Sequence, residues 1–455
     1  MAIETPQPKT GNSEATEKRN NQHLALIGCE PKDTQIILQL AEAKYDVTCF
    51  DTDQARLDNI SEPKNPQKSE TTKRLGQLIK AGNVTFTNEL QEAISSVSVL
   101  LVNLPVKTDG KRKVNYHNIR ETCRQIGTHM HKGTAIIVLS IMGVGANETE
   151  IKETLETASG FRAGTDFSLA YCPSFPLLVQ NADIGTGTTC LLAAFDGNSL
   201  SNASTILESI SKIPIRKTQN MKAAEAATLF SAIERDVNAA LAVELASFCE
   251  KTGINYIDTA GFIQAKNETA ITIPTFTRPQ SFLEERLLLE NAENASLKLR
   301  IPSLAEEVSS DSIKHVVNLV KEGLAGCGKT LKRAKIAVLG AAVKTDPTEL
   351  SRTILKLAET LDTRGARIRM YDPHLTQDDL SNDHISVKTN LTEALEGVDC
   401  AIVTTNQDQF GNLNAKRMRL MMKMPAAIVD LDFVFDPDKI EKEGFTYRGL
   451  GRGAA

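Results

Sequence analysis

The chain has 455 residues, 41% of them hydrophobic and 24% charged, with 27 Gly and 16 Pro. That composition is globular and excludes disordered, collagenous and low-complexity classes. The 52 Lys+Arg against 57 Asp+Glu leave a net charge of −5, which provides no electrostatic footprint for nucleic acid or an anionic membrane. No run approaches the roughly 18 apolar residues of a membrane span. Residues 1–22 carry no apolar stretch and are expected to be a disordered tail without a signal peptide. Eight Cys without a C-x-x-C pair point to neither zinc nor a disulfide framework, and a reducing, cytoplasmic setting is expected.

In chain order, HLALIG is apolar and β-prone. DTQIILQLAEAKY follows with helical spacing at Ile36, Ile37, Leu40 and Ala41, and DVTCFDTD is a second strand ending in acids. Further strands are expected at SVLLVNLP and GTAIIVLS. Strands alternating with helices imply a parallel sheet covered on both faces, placed at 23–214. Residues 221–252 form one helical run without Gly or Pro, closed by Gly253 at a C-cap position. The run is apolar nearly all round, which predicts burial on most sides, with Glu244 in a buried structural hydrogen bond. A second α/β unit starts at KRAKIAVLG and continues through ARIRMYDP, CAIVTT and AAIVDLDF. The expected fold class is α/β, with two Rossmann-like parallel-sheet domains (23–214 and 331–455) joined by a central helical domain (215–330).

Particular strings in this order resemble the nucleotide-sugar dehydrogenases, the UDP-glucose/GDP-mannose dehydrogenase family. They are FDTD, SIMGVGANETE at an STVPPGTT-like turn, DFSLAYCP at a DF-x-LAYNPE-like string, AEAATLF with AVELASFCEKTGI, VLGAAVKTD, YDP and GFTYRGLGRG. The resemblance implies NAD-dependent oxidation of a sugar primary alcohol to a carboxylate. In that chemistry a Cys thiolate traps the aldehyde as a thioester, and a Lys and an Asn stabilise the oxyanion. It also implies dimerisation through the central helix.

The residues for that chemistry are replaced. The family pattern E-x-x-K-x-x-x-N lays onto Glu225, so its Lys falls on Thr228 and its Asn on Ala232. The Glu of the PE string becomes Ser174, and the Thr of the STVPPG turn becomes Ile141. Where the family carries a GGHC loop, no Cys or Gly occurs between Gly261 and Gly323, and Thr275 falls near the nucleophile position. A Thr hydroxyl without an adjacent base stays protonated and attacks poorly.

The turn after the first strand should read G-x-G-x-x-G so that the backbone can approach a pyrophosphate. Here it reads Gly28-Cys29-Glu30-Pro31-Lys32-Asp33, with acids in place of two glycines. A carboxylate about 5 Å from a phosphate costs roughly 3 kcal/mol at an effective dielectric near 20. Asp33 would instead occupy the anion site at the positive helix end. NAD, if it is used, is therefore expected to bind weakly or not at all. Asp51 lies where an acid would accept ribose hydroxyls; the alternative is a solvated acid at a strand end.

On the substrate side, Lys344 matches a lysine of the family's FK motif, its D-L-R arginine falls on Ser351 beside Arg352, and its D-G-R string reads Asp430-Leu431-Asp432. GLAGCGKT (323–330) satisfies the P-loop expression but lacks the strand-loop-helix context, so a helix end is expected. His129 and His131 read as solvated imidazoles rather than a metal site, and Lys111-Arg112-Lys113 as a solvated loop.

Two functional readings follow. One is a degenerate family member acting as a binding or assembly subunit, as a homodimer or with an active paralogue, and possibly still holding a nucleotide sugar. The other is a working NAD-dependent dehydrogenase of a UDP-sugar.

Overall fold

The computed structural model describes residues 22–452, apart from 31–32, 63–69, 110–112, 174–188, 211–212, 266–270, 277–281, 344–345, 374, 376, 378–379, 381–383, 406–409 and 411–412. The tail expected at 1–22 lies outside the described residues except for its last residue. The described chain packs as two compact units. One comprises 1–105, 116–140 and 147–221, and the other 106–115, 141–146 and 222–455.

The first unit is built on an eight-stranded sheet ordered β10-β9-β8-β7-β4-β1-β2-β3. Its strands are β1 (Gln22–Ile27), β2 (Tyr45–Phe50), β3 (Val84–Thr87), β4 (Val99–Val102), β7 (Ala135–Val138), β8 (Ser168–Tyr171), β9 (Cys190–Ala194) and β10 (Ile215–Thr218). The central strands β4, β7 and β8 are buried at every position, as their unbroken apolar runs require of a sheet covered on both faces. All neighbours pair in parallel except β8 and β9, whose antiparallel ladder has only two rungs, Ala170↔Ala194 and Tyr171↔Ala193. The four strands expected from sequence in this region are β1, β2, β4 and β7. The helix between β1 and β2 spans Thr34–Glu42 and buries Ile36, Ile37, Leu38, Leu40 and Ala41.

The second unit holds an all-parallel six-stranded sheet ordered β15-β14-β11-β16-β17-β18. These strands are β11 (Lys335–Leu339), β14 (Arg367–Tyr371), β15 (Ser386–Val387), β16 (Cys400–Val403), β17 (Ala427–Asp430) and β18 (Thr446–Gly449). Two short antiparallel pairs accompany it, β5 (Lys107–Thr108) with β6 (Val114–Asn115) and β12 (Ala342–Val343) with β13 (Asp346–Leu350). Both large sheets start in the middle and wind outward in two directions, so each has a crevice where the winding reverses.

The helical run is one helix, Met221–Thr252, and Gly253 follows at φ +74°, the left-handed conformation that terminates it. Burial on most sides does not hold. Phe230, Leu241 and Phe248 are 58%, 49% and 59% exposed. With half-buried Val237 they form one stripe, because spacings of 7, 4 and 7 residues return to the same helical face. Glu244 is exposed as well, not in a buried hydrogen bond.

Gly28 ends β1 at φ +89°, and a Cβ there would lie 2.5 Å from the Asn103 carbonyl oxygen. Both the torsion and the contact require glycine. Gly28→Ala is expected to lower stability by roughly 1–3 kcal/mol, read as a drop in the urea midpoint with unchanged slope.

Candidate functional site

The turn after β1 is closed on itself. The Gly28 amide donates to Phe50 O at 2.8 Å, which continues the β1–β2 ladder past the end of the strand. Asp33, 2% exposed, turns its carboxylate back so that Oδ2 accepts from the Glu30 amide at 2.8 Å, while the Asp33 amide donates to Glu30 O at 2.8 Å. The carboxylate thus stands at the N-cap position of the helix Thr34–Glu42, near the positive end of its dipole, but the amide it holds is that of Glu30 in the preceding turn. Pro31 and Lys32 lie outside the described residues.

Asp51 ends β2 and belongs to the same turn. It is 7% exposed; its Oδ2 accepts from the Cys29 amide at 3.3 Å and its Oδ1 from the Asp53 amide at 2.9 Å. Arg56 Nη1 lies 3.5 Å from Oδ2. Of the two readings left open for Asp51, a solvated acid is excluded. Cys29 is fully buried, and burial first, then the neighbouring Cys49 thiol, pushes its pKa well above the usual thiol range. Burial also pushes Cys123 up to about 12 and raises Cys400 and Cys249. A thiol held protonated in this way is inert for as long as it stays buried.

Of the positions expected to replace catalytic groups, Ile141, Thr228, Ala232 and Thr275 lie among the described residues of the second unit. Thr228 spends its hydroxyl on Ala224 O, one turn back along its own helix, at 3.0 Å. Ala232 is 1% exposed and apolar. Ile141 is half-buried at the start of the turn 141–146, and Thr275 is half-buried in the stretch 271–276. Ser174 and Lys344 lie outside the described residues. Glu225, which the family pattern retains, is fully buried, and its Oε2 accepts from the Gly145 amide at 2.6 Å, tying the turn 141–146 to the long helix.

Asp430, at the end of β17, is 1% exposed and accepts from the amides of Asp432, Val434 and Phe435 and from the Tyr447 hydroxyl. Burial and then the Asp430 charge raise the Tyr447 pKa, so the phenol remains a donor. Arg452 donates to Tyr447 Oη and Phe435 O and lies over the rings of Phe433 and Tyr447. Ser351 is 6% exposed at the start of the helix Arg352–Thr363, and Arg352 points to solvent.

The P-loop string ends the helix Arg300–Gly326 and precedes β11. Its lysine, Lys329, donates to Lys423 O at 2.7 Å and pairs with Asp399 at 2.8 Å. The string is thus a helix terminus with its cation neutralised. His129 Nδ1 meets Gln125 O, and His131 Nδ1 meets the Thr134 hydroxyl. Of the basic loop only Lys113 is described; its amide donates to Asp109.

Side chains that the sequence reading passed over hold the second unit's loops. Asn291 Oδ1 accepts from the Val144 amide and Glu290 Oε2 from the Val114 amide, both from the helix Phe282–Asn294. These contacts span 147 and 176 residues and leave no local signal.

Against known proteins, the chain matches the NAD binding domain of the UDP-glucose/GDP-mannose dehydrogenase family over residues 34–181 and that family's UDP binding domain over 337–437. It is 26% identical over 443 residues to a UDP-N-acetyl-D-mannosamine dehydrogenase of Pyrococcus horikoshii, covering 94% of this chain and 99% of that protein. A UDP-glucose 6-dehydrogenase of Rhizobium meliloti is 22% identical, with 90% and 95% covered. Among solved structures, the UDP-D-ManNAc dehydrogenase of P. horikoshii superposes with a TM-score of 0.79 at 22% identity, covering 95% of this chain and 99% of that one. A UDP-glucose dehydrogenase of Pyrobaculum islandicum superposes at 0.77 with 18% identity, covering 96% and 99%. Both superpositions describe a shared fold. No described helix is long and apolar enough to cross a membrane.

Removing the Asp33 carboxylate leaves the Glu30 amide without that acceptor. Asp33→Ala is expected to destabilise the protein by about 1–3 kcal/mol, and Asp33→Asn by less because its amide oxygen still accepts. Denaturant titration of the two variants checks the order.

Proposed function

Because the chain belongs to the UDP-glucose/GDP-mannose dehydrogenase family, we propose that it is a catalytically degenerate member, a binding or assembly subunit that pairs with a second copy or with an active paralogue. The observation that carries this reading is the turn after β1. A dinucleotide pyrophosphate needs the turn's amides and close backbone approach. Gly28 fits that requirement, and Asp51, held by the Cys29 amide, fits a ribose. Glu30 and Asp33 do not fit, since the Asp33 carboxylate already accepts from the Glu30 amide. Two negative groups competing for one set of amides repel. We therefore read NAD binding as weak or absent and route no step through it.

The replaced positions support the same reading. Acyl transfer needs a nucleophile and fixed oxyanion donors. Thr228, whose hydroxyl bonds its own helix, apolar Ala232, Ile141 and Thr275 offer neither, and Ser174 stands at the PE glutamate. A UDP-sugar remains the ligand class suggested by the C-terminal domain match, with Lys344 as a contact to its nucleotide. We read the parts as a nucleotide-fold domain, expected at 23–214 and extended by β10 (Ile215–Thr218), a helical pairing domain over the rest of 215–330 and a second nucleotide-fold domain (331–455). The eight cysteines, buried and outside any disulfide, support a reducing cytoplasmic setting.

The second reading, an active NAD-dependent dehydrogenase that oxidises a UDP-sugar alcohol to the uronate, is favoured by Asp51 and by the dehydrogenase names of the relatives. The two readings separate in one assay. Purified protein given NAD with UDP-glucose, UDP-N-acetylmannosamine or GDP-mannose is expected to produce no NADH above a buffer blank. Turnover that Thr275→Ala abolishes would establish the second reading instead.

Pairing is supported by the stripe Phe230, Leu241 and Phe248, which leaves large apolar groups in water at one face of the long helix. Fully burying such a side chain contributes about 1.5–3 kcal/mol, enough in a symmetric interface to hold two copies together. Sedimentation is expected at twice the chain mass of 49.6 kDa. Leu241→Asp with Phe248→Asp should weaken self-association at least about tenfold, or roughly 1.4 kcal/mol. A parent protein that sediments as a monomer at micromolar concentration contradicts the pairing.

A further inference from the structure

Two cysteines meet beside the shortest ladder of the first unit's sheet among the described residues. Cys172 follows β8 and Cys190 opens β9, and their Sγ atoms lie 3.1 Å apart. Both are fully buried. The register explains the meeting: with Tyr171 opposite Ala193, the residue opposite Cys172 is Leu192, and Cys190 is its same-face diagonal neighbour. Ala170, Cys172, Cys190, Leu192 and Ala194 accordingly lie in one apolar cluster. Cys172 also stands where the family string that this segment resembles, DF-x-LAYNPE, has an asparagine, so the thiol is a departure of this chain.

We propose that Cys172 and Cys190 form an oxidisable pair that a peroxide converts to an intrachain disulfide, clasping β8 to β9. One thiolate attacks a peroxide oxygen, breaking the O–O bond. The leaving hydroxide takes up a proton as water, and the attacking sulfur, now bonded to the transferred oxygen, becomes a sulfenic acid. The second thiolate then attacks that sulfur and displaces hydroxide, which is also protonated to water. Two thiols and one hydrogen peroxide thus give one disulfide and two waters, and a thiol reductant reverses the change. The sulfurs must close by about 1 Å to reach bonding distance, a side-chain adjustment within one core.

Two features favour this pair. The β8–β9 ladder is antiparallel and two rungs long, whereas its neighbour β9–β10 has four. Short ladders open locally at lower free energy than long ones, which gives a small oxidant access to buried sulfur. A bond at this point also closes the 17 residues between the two cysteines into a loop, which restricts the unfolded chain. Oxidation therefore stabilises the first unit. The assignment stands apart from the catalytic reading, since it needs neither NAD nor a sugar.

The test uses the full chain treated with a modest excess of hydrogen peroxide, alkylated under denaturing conditions and mapped by mass spectrometry without reduction. The expected product is a linked peptide pair joining Cys172 to Cys190, lighter by two hydrogens and released by dithiothreitol. The oxidised protein is expected to melt several degrees higher than the reduced form. Cys172→Ala and Cys190→Ala should each abolish both the link and the shift. If either variant fails to fold, the map of the parent protein decides alone. Alkylation of all eight cysteines after peroxide, a link between other cysteines, or oxidation of Cys172 or Cys190 to sulfinic acid without a link would each overturn the proposal.

Discussion

Buried backbone amides in a turn must be answered by water, a side chain or a ligand, and in the turn that leads into the first unit's first helix the Glu30 amide is answered by the chain itself. Asp33 reaches back across the turn and supplies the acceptor, buried and at the positive end of the helix it precedes. Asp51 answers the Cys29 amide from the end of β2. The glycine turn is thereby complete without a bound anion. Elsewhere, burial raises the pKa of the Cys29, Cys123, Cys249 and Cys400 thiols.

The same principle recurs in the second unit. Asp430 collects three amides and a phenol at the end of β17, and Glu225 collects the Gly145 amide at the start of the long helix. Each is an acid at a loop where backbone donors converge, and each is satisfied within its own unit. Carboxylates in these places contribute to folding as charge-assisted hydrogen bonds. The architecture is that of the family, and the proposed loss of the acting groups concerns particular side chains rather than the fold that carries them.

Much of this was legible in the sequence because it rests on local periodicity. The strands HLALIG and KRAKIAVLG and the helix 221–252 follow from apolar runs, and the stop at Gly253 follows from glycine's access to positive φ. The position of Asp33 just before the helix was legible, since Gly28 fixes where the turn begins, but its bond back to the Glu30 amide was not. Contacts made across long stretches of chain were not. Asn291 on the Val144 amide and Cys172 beside Cys190 depend on register and packing that no window of sequence contains. The exposed stripe on the long helix was misjudged for a related reason. Apolar residues on every face predict burial, but which face is covered within one chain depends on tertiary neighbours.

The most direct test of the account is a calorimetric titration of NAD into the unaltered protein beside the double variant Glu30→Gly with Asp33→Gly, each first shown to be folded. The account predicts no measurable heat of binding for the parent, and saturable binding once the two carboxylates are gone. Micromolar binding by the parent protein would contradict it, because it would show that the turn accepts a pyrophosphate despite the Asp33 carboxylate on the Glu30 amide.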